Sequence, residues 1–95
     1  MENVQKIVEL EYSLGNELIS TIKNLVEEKG TETSKFQNNT KVLKVDEERS
    51  FNLGGGRWLE EVSGKELIDS NGYAYDFHVL TTLELAELTD YLDSL

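Results

Sequence analysis

The last third of the chain carries the clearest alternation. Tyr73, Tyr75, Phe77 and Val79 fall on one side and Ala74, Asp76 and His78 on the other, which predicts a strand over residues 73–80. Asn71-Gly72 precedes it and predicts a hairpin turn with positive φ at both positions. Upstream, Trp58, Glu60 and Val62 alternate with Arg57, Leu59 and Glu61. With a Ser63-Gly64 turn and a return strand over residues 65–69, this reads as a three-stranded antiparallel meander. A helix follows at once. Thr81 and Glu84 form a capping box, Leu80 and Leu85 occupy the positions of a hydrophobic staple, and Leu85, Leu88, Leu92 and Leu95 make a buried stripe.

The first two thirds are more mixed. Val8, Leu10 and Tyr12 alternate with Glu9 and Glu11, so residues 4–12 read as a strand, although Val4, Ile7 and Val8 also suit a helix. Residues 16–29 form a helix with a stripe of Leu18, Ile19, Ile22, Leu25 and Val26. Ser13 or Asn16 is its expected cap, Lys29 suits the negative end of its dipole, and Gly30 is expected as a left-handed C-terminal residue. Residues 31–40, whose only large apolar side chain is Phe36, read as a loop. Lys41 to Val45 reads as a strand, Asp46-Glu47-Glu48 breaks it, and Phe51 with Leu53 restores a short extended piece. Gly54-Gly55-Gly56 is a turn. The expected fold is α+β: a mostly antiparallel sheet of about four to five strands, with two helices packed on one face.

At 95 residues the chain is one domain, residues 1–95, with an expected radius of gyration of roughly 12 Å. It has no Cys, which removes disulfides, thiolate nucleophiles and Cys-based zinc sites and fits a reducing, cytoplasmic setting. No apolar run is long enough to cross a membrane, and no export segment is visible, so the Asn38-Asn39-Thr40 sequon is discounted.

No motif requires a cofactor or a metal. His78 and Asp76, on one face of the expected strand, are the closest approach to an acid–base pair, but no nucleophile accompanies them. Gly54-Gly55-Gly56-Arg57 could cradle an anion, but matches neither phosphate-loop nor dinucleotide patterns and reads better as a turn. Asp69-Ser70-Asn71-Gly72 resembles part of a calcium loop but has its Gly misplaced and lacks the distal Glu. Trp58, Tyr73 and Tyr75 are expected in the core rather than on an exposed platform. The chain therefore does not read as an enzyme.

Charge changes the picture. Net charge is −10, from 19 acids and 9 bases, which argues against direct binding to nucleic acid phosphates. The charge is also polarised: residues 1–56 hold 10 acids and 7 bases, residues 57–95 hold 9 acids and 2 bases. Glu84, Glu87, Asp90 and Asp93 lie opposite the Leu stripe without a cation at i+4, and the last two oppose the helix dipole. With Glu60, Glu61, Glu66, Asp69 and Asp76 they form a candidate partner-binding face.

In size, lack of Cys and lopsided acidity, carried by Asp46-Glu47-Glu48, Glu60-Glu61, Glu66, Asp69, Asp76 and the series from Glu84 to Asp93, the chain resembles the small acidic DNA-mimic proteins of phages. The resemblance implies a basic DNA-binding partner in the cytoplasm of a bacterial host, such as the nucleoid protein HU, whose DNA binding would be blocked. It also implies a possible homodimer that lengthens the acidic strip. Lys35, Lys41 and Lys44 depart from the pattern and have to lie off the binding face. The competing expectation is a small protein-interaction domain, acidic for solubility, that meets its partner through Trp58, the tyrosines or a sheet edge.

Overall fold

The computed structural model describes residues 2–33, 40–49 and 51–95. Its elements run α1 (Glu2–Lys29), β1 (Thr31–Thr33), β2 (Thr40–Lys44), β3 (Asn52–Gly54), β4 (Arg57–Ser63), β5 (Leu67–Asp69), β6 (Ala74–Tyr75) and α2 (Thr82–Asp93), with 3-10 turns at Glu47–Arg49 and Phe77–Val79. The class is α+β. The sheet is antiparallel throughout, in the order β1-β2-β4-β5-β6, with β3 paired to the first half of β4. Phe36, Lys35 and the sequon asparagines fall outside the described residues.

The largest correction is at the start. Residues 4–12 are helical, and α1 is one helix of 28 residues rather than a strand followed by a shorter helix capped at Ser13 or Asn16. Leu10 and Tyr12 are exposed, so no core face selects among the residues that suggested a strand. A helix of this length spans about 42 Å. It accounts for most of the 49 Å long axis and for a radius of gyration of 14.0 Å, above that of a compact chain of this size.

Ile19, Ile22, Leu25 and Val26 of α1 pack with Leu43, Leu59, Val62 and Leu67 of the sheet and with Leu85, Leu88 and Leu92 of α2 in one core. The pleat puts Leu43, Val62 and Leu67 in register across β2, β4 and β5. A bulge interrupts β4 between Leu59 and Glu61. It shifts the alternation by one, so Leu59 and Val62 reach the same core although their spacing is odd. α2 packs chiefly on α1 and reaches the core beside it. Leu95, expected to end its stripe, is exposed.

Gly30 ends α1 without positive φ, so the expected left-handed residue is not formed. A Cβ there would stand 2.3 Å from the Val26 carbonyl oxygen, 3.1 Å from Lys41 Cβ and 3.2 Å from the Val42 carbonyl oxygen. Glycine is required because a Cβ would strike the Val26 carbonyl of the helix itself and crowd β2, which passes against the helix end. From there the chain enters β1, where a loop was expected; Thr31 and Val42 stand opposite each other.

The expected strand over residues 73–80 also breaks up. Only Ala74 and Tyr75 pair with β5; Asp76 then caps a 3-10 turn, its Oδ1 accepting from the His78 amide at 2.9 Å. The turn drives Phe77 into the core and turns Val79 out. The capping box of α2 is formed as expected, with Thr81 N–H donating to Glu84 Oε1 at 3.0 Å and Glu84 N–H to Thr81 Oγ1 at 3.2 Å. Leu80 and Leu85 are both buried at the staple positions.

Candidate functional site

The nine candidate acids divide sharply. Asp69 and Glu61 are buried, which corrects their placement on a surface. Glu61 sits in β4 with Lys44 and Ile68 directly across it on either side. Asp69 organises the β5–β6 hairpin. Its Oδ1 accepts from the amides of Asn71 (2.8 Å) and Tyr73 (3.0 Å), and its Oδ2 accepts from the Tyr75 hydroxyl (2.8 Å). Arg57 Nη1 donates to the same Tyr75 oxygen at 2.9 Å. A bond from Gly72 N–H to the Asp69 carbonyl puts Ser70 and Asn71 at the centre of the turn, with Gly72 following at φ 88°. This differs from the two-residue Asn-Gly turn that the sequence suggested.

Burial alone pushes the Asp69 pKa up. The Tyr75 hydroxyl, the Tyr73 and Asn71 amides and the Arg57 charge outweigh it, and the carboxyl is held below its ordinary value. A depressed carboxylate stabilises the fold above its unfolded pKa and loses that contribution as pH falls. Urea titrations of the native chain are therefore expected to show a midpoint that declines from roughly pH 4 downward. In Asp69→Asn the midpoint should be lower at neutral pH and its acid dependence flatter; an unchanged acid dependence would refute this assignment.

The remaining acids do lie at the surface. Glu84 and Asp76 are each partly committed as caps, and Glu66 is half-buried in the turn between β4 and β5. Glu60, Glu87, Asp90 and Asp93 are exposed, and among the described residues no cation bridges any of them. On α2 the row from Glu84 to Asp93 advances in steps of three, which spaces neighbours by about 5–6 Å along the outer side of the helix.

Tyr91 ties this row to the sheet. The Asp46 amide donates to its hydroxyl at 2.9 Å, and Val45 N–H donates to the Glu60 carbonyl at 2.8 Å. The 46–48 turn is thereby held beside α2. Arg49, 4.8 Å above the Tyr91 ring, is the basic residue set within this face.

The unfavourable dipole at the end of α2 has an answer that sequence spacing could not show. Lys29 Nζ donates to the carbonyls of Asp93 (2.6 Å), Leu95 (3.1 Å) and Leu92 (3.4 Å). Lys41 Nζ in turn reaches the Glu27 carbonyl at 3.0 Å and its carboxylate at 3.3 Å, near the end of α1. Each helix C-terminus is thus capped by a lysine from another element. Lys29 therefore sits against the backbone of Asp93, the last acid of the row, and Lys41 at the end of α1. Lys29→Met, which keeps the aliphatic stem, is expected to cost about 1 kcal/mol in chemical denaturation.

The other chemical candidates take structural places. The His78 ring stacks on Tyr12, with centroids 5.9 Å apart and an interplanar angle of 8°, and Asp76 binds its backbone rather than its ring. The acid–base pair is not formed. Gly54, Gly55 and Gly56 all have positive φ in the β3–β4 turn. Trp58 and Tyr73 are 47% and 64% exposed, against the expectation of a core position, and Arg57 lies 5.9 Å from the Tyr73 ring centroid. No group of metal-ligating side chains, and no helix long and apolar enough to cross a membrane, occurs among the described residues.

Fold and surface together define an α+β domain with an acidic row on its second helix, whose exposed carboxylates are bridged by no cation among the described residues. Comparison with known protein families, curated proteins and solved structures finds no match to this chain.

Proposed function

We propose that the chain is an acidic DNA mimic, which binds the basic DNA-binding surface of a nucleic-acid-binding protein and blocks its access to DNA. The observation that carries this reading is the exposed series Glu87, Asp90 and Asp93, bridged by no cation among the described residues and joined through Tyr91 to the turn that carries exposed Asp46 and Glu48. Carboxylates at this spacing meet the lysines and arginines that such a partner offers to phosphates, and long-range attraction speeds the encounter. Asp69 and Glu61 do not take part, and Glu84 and Asp76 contribute only the charge left over from capping.

The test is displacement of a labelled duplex from HU, and from the heparin-binding fraction of a bacterial lysate, at about 50 and about 200 mM salt. Displacement at low salt that weakens at high salt is expected. The combined variant Glu87→Gln, Asp90→Asn, Asp93→Asn should lose at least about tenfold in affinity at an unchanged thermal midpoint. Absence of association with any DNA-binding protein at low salt, or full activity of the triple variant, would overturn the reading.

Exposed Trp58, and exposed Tyr73 beside Arg57, favour a second reading, a protein-interaction domain, because these residue types dominate binding energy at interfaces. In that case Trp58→Ser abolishes partner capture and the triple acid variant does not.

A further inference from the structure

α2 runs alongside only the second half of α1. Its start lies against Gly15 and its last carbonyls are held by Lys29, so the two helices point the same way. Residues 2–14 of α1 extend roughly 20 Å beyond this pairing. Every side chain described there, Lys6 and residues 9–14, is exposed. A helix of this length is marginal in water by itself, and Asn3, Val4, Ile7, Val8 and Tyr12 do not strengthen it. Tyr12 has a partner in His78. Leu10 and Leu14, 68% and 48% exposed, lie on another side of the helix, one turn apart.

We infer that this overhang pairs with the same segment of a second copy of the chain, as a short parallel two-helix seam. With Leu10 at a d position and Leu14 at the next a, Ile7 falls at the preceding a position, Lys6 at g and Glu11 at e. In a parallel pair, a g residue faces the e residue five positions later in the other copy. Two-fold symmetry therefore sets Lys6 against Glu11 of the second copy, twice. Among the described residues neither Lys6 nor Glu11 has an ion-pair partner within its own chain. An antiparallel pair, which matches g with g and e with e, opposes no unlike charges here. Glu17, exposed at the following d position, ends the seam before the globular body. Nothing in this seam depends on the acidic face of α2.

The experiment is sedimentation equilibrium of the full chain from about 1 µM to about 1 mM. The mass should rise from monomer to dimer. Leu10→Ser with Leu14→Ser should raise the dissociation constant at least tenfold, with the thermal midpoint of the domain retained because both residues are exposed. Lys6→Glu and Glu11→Lys should each weaken the dimer, and their combination should restore it. Leu10→Cys should cross-link under mild oxidation, since the chain has no other Cys. A monomer at every concentration leaves the face to a different protein and overturns the inference. So does a dimer indifferent to the serine variant. Failure of the charge exchange to restore affinity, or of Leu10→Cys to cross-link, overturns the parallel register.

Discussion

Phe77→Ala is expected to cost about 3–5 kcal/mol, the range for removing a buried aromatic side chain, while Val79→Ala should stay within about 0.5 kcal/mol. The two residues share a face if residues 73–80 form a strand. In the 3-10 turn they do not: Phe77 is 4% exposed and Val79 45%. Phe77 enters a core shared by Ile22, Leu85 and Leu88, with Lys23 Nζ 5.8 Å above its ring. Denaturant midpoints of the two variants decide the matter. Equal losses would restore the strand; a loss confined to Phe77 establishes the turn.

Gly30→Ala should lower stability by about 2–3 kcal/mol, which is large for a single added methyl. Its Cβ would meet two backbone carbonyl oxygens, and neither can move without shifting α1 or β2. Relief by opening the α1–β1 junction would also disturb the register of Thr31 with Val42. The thermal midpoint should fall by roughly 10 °C or more for a domain of this size. A midpoint equal to that of the native chain would mean that Gly30 does not stand against the Val26 and Val42 carbonyls as described.

What the sequence made legible was local chemistry that tertiary structure leaves intact. The Thr81–Glu84 capping box and the Leu80–Leu85 staple depend on a few adjacent residues and formed as read. The meander from Arg57 to Tyr75 was visible because turn residues punctuate it. The β4 bulge was not, because its only trace is the odd spacing of Leu59 and Val62. The start of α1 was misread because Leu10, Tyr12 and Leu14 are exposed and no core imposes a period on them. At Phe77, a strand pattern yielded to the local bond between Asp76 and the His78 amide.

The candidate site was legible as composition but not as geometry. Charge counting weights Asp69 equally with Asp90. The fold buries the first under hydrogen bonds from its own hairpin and leaves the second exposed. Lys29, which answers the dipole at the end of α2, lies more than sixty positions away in the chain. No spacing rule connects the two.

The crossed lysine caps have a consequence for motion. Final helical turns usually fray independently, and their amides exchange with solvent almost as fast as those of an open chain. Here the last turn of α2 cannot unwind without breaking its bonds to Lys29 in the last turn of α1, which Lys41 holds in turn to β2. The three segments thus open as one cooperative unit. Their slowest amides should share a single opening free energy, one that Lys29→Met lowers at both helix ends together.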